Sequence, residues 1–356
     1  MPTATPTDQR TQLFEQRRTV DFDTYDVTVD ELLRRVTRHR IDVAPIYQRQ
    51  FRWDRQRQSR LVESVLLGIP VPPLFMATNN AAGMQNQWEV VDGLQRLLTL
   101  VNFAGDAEAR VATGVGESPL RLTEVEKLTT FEGAVFGDLP DDIRTTFEDR
   151  PLKVIVLNDK SDLEVRYDLF ERLNTGGIQL TPHEIRECVF RGEFVDLLVE
   201  LAESEDFKTV VVLPESRQKD GTPQEYVLRF FAYLERYQAF SHSVIDFLNW
   251  YMRDSYKEPQ VDFRRELFMR TFRYLASVFP SGIRSRLNST PVNLYEALSV
   301  GAALALAERP SLQPPGDMTW VGSAELRALT TGATNSRTRV AGRIEYCRDR
   351  FLEADA

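Results

Sequence analysis

Cysteine and histidine are scarce in this chain, and each scarcity removes a class of function. Only Cys188 and Cys347 occur in 356 residues, far apart. That excludes a disulfide framework, offers no metal-ligand spacing and suits a reducing compartment, with buried free thiols as the expectation. His39, His183 and His242 are equally scattered and have no neighbouring ligand pattern, so each is expected to be structural or exposed rather than catalytic. No apolar run approaches the roughly 20 residues that span a bilayer. The opening MPTATPTDQRTQ has neither a basic start nor an apolar stretch, so no secretory leader is expected; residues 1–24 read as a flexible tail and the protein as cytoplasmic, with no membrane partner. No GxxxxGK[ST] loop occurs, so any phosphate cradle must be of another kind. No fixed-period repeat is visible.

What is present is charge, unevenly spread. The formal net charge of -9 should repel DNA from the molecule as a whole. Yet between Arg34 and Arg60 the sequence holds nine arginines (34, 35, 38, 40, 49, 52, 55, 57 and 60) against two acids, Asp42 and Asp54. Such an island reads either as a solvated helix face or as a nucleic-acid contact. Two features favour the second: every basic group is Arg, whose planar fork suits phosphate, and Tyr47, Phe51 and Trp53 are interleaved and able to stack on bases.

The length favours two cores over one. Val29 to Val36 reads as a short helix and Asp42 to Tyr47 as an extended segment interrupted by Pro45. Asp54 is a plausible N-cap for a helix that stops at Gly68. Leu74 to Ala77 and Gln87 to Val91 read as strands joined by a turn over Asn79 to Gly83, and Leu94 to Phe103 as a helix. Gly105 to Thr130 has poor periodicity and reads as an insertion of weak structure. Leu152 to Leu157 is a clear strand. A capping box at Ser161 and Glu164 predicts a helix through Leu173, and Thr181-Pro182-His183-Glu184 predicts another to about Arg191. Beyond Gly192 the pattern is helical: Phe194 to Ala202, Gln224 to Tyr237, Val244 to Met252, Phe263 to Val278, Val292 to Ala307 and Ser336 to Phe351. Thr222-Pro223-Gln224-Glu225 repeats the same start signal. The expected organisation is a tail (1–24), an α/β (α+β) domain (25–191) and an all-α helical domain (192–356).

Two motifs carry chemistry. In Trp88 to Leu100 a strand ends, Asp92-Gly93 makes a tight turn, and Gln95 and Arg96 sit in the first turn of a helix. Unpaired N–H groups and the helix dipole favour an anion there, Arg96 adds a two-pronged donor, and Asp92 at the strand end is placed to hold Mg²⁺ or orient a water. The same residues also read as an ordinary cap with a solvated arginine. In Phe170 to Arg186, Asn174-Thr175-Gly176-Gly177 is explained by a helix end followed by the next N-cap, whereas Glu171, Arg172 and Arg186 are either core ion pairs or lining of the Arg96 pocket. Glu124-Val125-Glu126-Lys127 has the spacing of a Glu-x-Lys nuclease signature without its surrounding strands, and is set aside.

Four segments, Ile46-Tyr47-Gln48-Arg49 with Phe51-Arg52-Trp53, Leu61 to Pro73, Val91 to Arg96 and Phe170 to Arg186, resemble the GmrSD N-terminal domain family, in that family's order over roughly residues 25 to 190. The resemblance implies a ParB/sulfiredoxin-like core in which an Asp-Gly-Gln-Gln-Arg motif binds and hydrolyses a nucleoside triphosphate with Mg²⁺. It makes Asp92, Gln95 and Arg96 the candidate catalytic residues and Asp92 the metal ligand. The nucleotide-binding candidates are Asp92, Gly93, Gln95, Arg96, Arg172 and Asn174. Leu94 stands here where the family has its first Gln. If that amide positions the attacking water, the chain binds nucleotide without turning it over; if it merely packs, activity survives. The Tyr-Gln-Arg segment of the related SspE proteins is linked to sensing modified DNA, which makes Tyr47, Gln48, Arg49, Arg52 and Trp53 the DNA-binding candidates. Relatives often carry an HNH nuclease, which needs paired histidines that this chain lacks, so nuclease action is expected from a separate subunit. The resemblance therefore implies an NTP-dependent DNA-sensing component of an antiviral restriction system. A ParB-like nickase acting by itself, or a non-catalytic scaffold, are the alternatives, and self-association is left open.

Overall fold

The computed structural model describes residues 9–12, 21–43, 53–79, 87–158, 167–169, 171–172, 181–218, 220–284, 289–332 and 334–353. The chain divides into two compact units, residues 1–179 and 180–356. The architecture is α+β, with a five-stranded mixed sheet in the first unit and a helical second unit.

The first unit is built on the strands β1 (Phe22–Thr28), β2 (Ile41–Asp42), β3 (Leu74–Asn79), β4 (Gln87–Asp92) and β5 (Pro151–Leu157), in the order β1-β5-β3-β4-β2. β5 runs antiparallel to β1 and parallel to β3; β3 runs antiparallel to β4, with a register shift between Phe75 and Met76, and β4 is parallel to β2. Alternation along β5 sends Leu152, Val154 and Val156 into the core, as a period of two requires. β1 corrects the expected tail, since residues 22–24 pair with Leu157, Val156 and Ile155. Its residues Phe22 to Asp26 are exposed on both faces, so FDTYDVT lacks the apolar alternation by which a strand is recognised.

Helix α1 (Val29–Thr37) starts at Thr28, whose hydroxyl accepts the Glu31 N–H at 3.3 Å, and buries Leu32, Leu33 and Val36. Helix α2 (Arg55–Leu67) is capped by Asp54 and ends at Gly68 in the left-handed region (φ 72), as the sequence predicts. The Arg150 side chain donates to the Val65 carbonyl at 3.1 Å there, placing a cation at the negative end of the helix. Helix α3 (Leu94–Ala104) follows β4 and buries Leu97, Leu98 and Val101.

The stretch from Gly105 to Thr130, expected to have weak structure, is instead specifically held. Helix α4 (Ala107–Ala112) occupies its start, and Leu120, Leu122 and Val125 are buried. The buried Glu63 carboxylate accepts the N–H groups of Lys127 and Leu128 at 2.6 and 2.8 Å, and Ser59 Oγ accepts that of Thr123 at 2.9 Å. Burial alone would raise the Glu63 carboxyl, but those amides hold it below its ordinary range. The order is imposed from α2, so local periodicity carries no trace of it. Helix α5 (Asp141–Glu148) then leads to β5. Of the helix expected from Ser161 to Leu173, residues 167–169 and 171–172 are helical and the rest lies outside the described residues, as does the turn over 80–83.

The second unit contains α6 (Pro182–Val189), α7 (Glu193–Ala202), α8 (Glu205–Val210), α9 (Thr222–Arg236), α10 (Val244–Lys257), α11 (Val261–Val278), α12 (Val292–Glu308), α13 (Ala324–Thr330) and α14 (Arg337–Glu353). The Thr181–Glu184 capping box forms reciprocally. Its expected repeat at Thr222 does not: Gly221 is the N-cap, Thr222 is already helical, and Glu225 is displaced one position inward. The Thr222 N–H is taken by Asp220 Oδ1 at 3.0 Å instead. Aromatic residues of α8, α9 and α11 fill the core, with Phe268 and Phe272 stacked at 4.0 Å and Phe230 edge-on to both. Cys347 is buried, as expected of a free thiol, and burial pushes its ionisation far up; the Cys188 side chain lies outside the described residues.

Candidate functional site

The turn between β4 and α3 strongly favours glycine. Gly93 has φ 95, and a Cβ there would stand 2.5 Å from Leu74 Cδ2. Gly93 is also the N-cap, so no side chain caps the start of α3. The positive end of this 11-residue helix, without a side-chain cap, favours an anion.

Arg96 is not solvated. Its guanidinium lies 2.5 Å from Asp92 Oδ2 and donates to the carbonyl oxygens of Pro72 at 2.6 Å and Pro73 at 3.0 Å, and the side chain is 12% exposed. In this arrangement it braces the entry of β3 against the exit of β4, and it holds one of the two Asp92 oxygens. The Asp92 side chain is 36% exposed, so part of it reaches solvent. One carboxylate oxygen is a poor cage for Mg²⁺, yet it fits an ion whose remaining ligands are water and substrate phosphate. Among the described residues no group of three His, Cys, Asp or Glu side chains could hold a metal by itself.

Gln95 links the two candidate sets. Its Oε1 accepts the main-chain N–H of Trp53 at 3.2 Å, Gln58 Nε2 donates to the Trp53 carbonyl at 2.8 Å, and Asn102 Nδ2 donates to Gln58 Oε1 at 2.8 Å. The structure thus brings together Asp92, Gly93, Gln95, Arg96 and Trp53. Arg172 is exposed on a short helical piece. Tyr47, Gln48, Arg49, Arg52 and Asn174 lie outside the described residues.

The basic island is less basic in space than in sequence. Arg34 pairs with Asp30 at 2.9 Å, Arg35 with Glu31 at 2.8 Å, and Arg60 with Glu126. Those three acids lie outside the counted window: two stand one helical turn upstream, and the third arrives on the loop that Glu63 anchors. Arg55 and Arg38 are exposed. A neighbouring feature escaped the sequence. Tyr25 stacks on Trp88 with ring centroids 5.6 Å apart, and the Arg35 guanidinium lies 4.2 Å over the Trp88 ring. β1 and β4 are separated by two strands in the sheet, so no local pattern announces the contact.

In the second unit Arg186, 1% exposed, is a core ion-pair residue. It donates to Asn249 Oδ1 at 2.7 Å and lies 3.3 Å from Glu225. The charges alternate onward through Arg229 to the buried Glu296, and from there to the buried Arg343. Burial would raise the Glu225 carboxyl, but Arg229 and Arg186 outweigh it and hold it down at about 2. His183 is buried, whereas His39 and His242 are exposed.

Residues 29–191 match the family model described as GmrSD restriction endonuclease, N-terminal domain. The match begins with α1 and ends just beyond α6. No curated protein and no solved structure matches the chain.

Proposed function

We propose, from the match of residues 29–191 to the GmrSD restriction endonuclease N-terminal domain, that the chain is the NTP-binding, DNA-sensing component of a prokaryotic restriction system. The observation that carries the nucleotide reading is the uncapped start of α3 at Gly93, beside the half-exposed carboxylate of Asp92. A triphosphate placed there meets main-chain N–H groups and the helix dipole. Bound Mg²⁺ would neutralise phosphate charge, with the partly exposed carboxylate of Asp92 as its protein ligand. Arg96 keeps that carboxylate oriented through its own ion pair and fixes the two proline carbonyls beneath it. Gln95 couples occupancy of the helix start to Trp53, and so to the arginine-bearing segment proposed to contact modified DNA. Arg172 and Asn174 complete the proposed nucleotide set, Tyr47, Gln48, Arg49 and Arg52 the DNA set, and a separate nuclease subunit performs cleavage.

The deciding experiment is NTP binding and hydrolysis by the purified chain, with and without modified DNA. Nucleotide binding that is enhanced by the DNA supports the reading, and absence of NTP binding removes it. A second reading is favoured by Arg96, whose donors are committed inside the protein, and by Leu94 in place of an amide: a scaffold that has lost nucleotide chemistry. It requires that neither NTP nor DNA bind.

A further inference from the structure

The second unit holds a pocket of ≈ 260 Å³ between the start of α6, the start of α9 and the turn that precedes α9, lined by Thr181, His183, Arg217, Asp220, Thr222 and Tyr226 among others. Its most unusual wall is His183. The ring is 1% exposed, Nδ1 has no hydrogen-bond partner among the described residues, and Nε2 stands 3.2 Å from Glu187 Oε1. A buried polar atom left unpaired is costly, so the unpartnered Nδ1 of an imidazole that lines the cavity points to a group that arrives from outside. The turn is pressed against the ring: Gly221 has φ 80, and a Cβ there would lie 3.3 Å from His183 Cδ2.

The polar groups sort by sign. Asp220 keeps Oδ1 on the Thr222 N–H at 3.0 Å, and its other oxygen has no partner among the described residues. Glu225 also lines the pocket, but its oxygens are taken by Arg229 at 2.7 Å and Arg186 at 3.3 Å. Arg217 is exposed at the wall, with no ion-pair partner assigned among the described residues. The cavity therefore offers acceptors at His183 and Asp220 and one cation at Arg217. Its volume lies just under the roughly 300 Å³ at which drug-sized sites begin. A nucleotide would set several negative charges against Asp220 and Glu225.

We propose that this pocket binds a small zwitterion of the α-amino-acid type, its ammonium directed to Asp220 and His183 and its carboxylate to Arg217. The site is independent of the nucleotide reading, because none of its residues belongs to the Asp92–Arg96 element.

The test uses the full chain. Melting curves are recorded with each of the common amino acids, and saturable binding by those that stabilise is measured calorimetrically. At least one is expected to bind. Its N-acetyl and carboxamide derivatives should each bind at least tenfold more weakly, and so should the wild-type ligand to Arg217→Ala and to Asp220→Asn. Arg217 is exposed, so its variant keeps the fold and carries the test even if Asp220→Asn destabilises the turn. Overturning results are the absence of saturable binding by any amino acid, unchanged affinity in Arg217→Ala, or equal affinity for the N-acetyl derivative.

Discussion

Trp53 donates its main-chain N–H to the side-chain oxygen of Gln95 at 3.2 Å, joining the segment that bears the arginines to the helix that opens at the Asp-Gly turn. A single side-chain amide thus sits between the two proposed binding elements. Gln95→Ala should destabilise the first unit by about 1 kcal/mol, the usual net worth of such a bond. It should also raise amide exchange at Trp53 and through the first turn of α2. If exchange at Trp53 is unchanged, the contact does not hold that segment.

Arg96→Ala tests the brace. Removing the guanidinium leaves the Pro72 and Pro73 carbonyls and Asp92 without their donor, and a loss of about 2 kcal/mol is expected. Arg96→Lys should recover only part of it, because one ammonium lacks the fork that spans carbonyls and carboxylate together. Chemical denaturation gives the stability loss, and NTP titration of Arg96→Lys separates bracing from phosphate contact. Full stability recovery by lysine would refute the forked brace.

Much of this architecture is legible in residue patterns, and the exceptions share a physical origin. Asp54, Gly68, the Thr181 capping box and the apolar strand from Leu152 to Leu157 are local signals, and each appears as the sequence predicts. β1 is hidden because an edge strand needs no apolar alternation, and the segment from Gly105 to Thr130 because its order is imposed by Glu63 and Ser59. At the candidate site the glycine turn is readable from Asp92-Gly93. The inward fold of Arg96 is not, since Pro72 and Pro73 lie a strand pair away and nothing in the spacing declares their free carbonyls. The arginine count likewise misleads, because helical pairing reaches back across any window drawn on the sequence.

Glu63 predicts a local effect. Glu63→Ala removes the acceptor for the Lys127 and Leu128 amides from a buried position, at an expected loss of about 2 kcal/mol. Because the carboxylate anchors one loop, protease cleavage between residues 121 and 136 should accelerate well before the sheet unfolds. Equal protection of that loop in the variant and the wild type would show that buried Leu120, Leu122 and Val125 suffice to hold it.

Gly301 lies where α12 packs tightly against α14. A Cβ there would lie 2.7 Å from Cys347 Cβ and 2.8 Å from the main-chain nitrogen of Arg348, so one helix must shift to admit it. Gly301→Ala is expected to cost about 1–3 kcal/mol by overpacking, despite alanine's higher helix propensity. A thermal midpoint that rises would mean that the two helices separate without penalty. Cys347→Ser keeps the Cβ and should not relieve the clash, whereas Cys347→Gly in the same background should relieve part of it.

The Glu225 carboxylate makes the second unit sensitive to acid in a definable window. Its ordinary value of 4.5 falls to about 2 in the folded protein, so the folded state binds the proton more weakly than the unfolded chain. A depressed carboxyl contributes stability that is fully present above the unfolded value and is lost as pH falls toward the folded one. The window therefore runs from about 4.5 down to about 2, and the linked stabilisation is of the order of 3 kcal/mol. Glu225→Gln leaves Arg186 and Arg229 facing a neutral amide, which should destabilise the unit by a comparable amount at neutral pH. Comparing the two proteins isolates this group from the other acids that titrate in the same range. The stability gap between wild type and Glu225→Gln should be constant from pH 7 to about 5 and shrink steadily below that. A gap that stays constant down to pH 3 would place the stabilising charge elsewhere in the Arg186–Glu225–Arg229–Glu296 series.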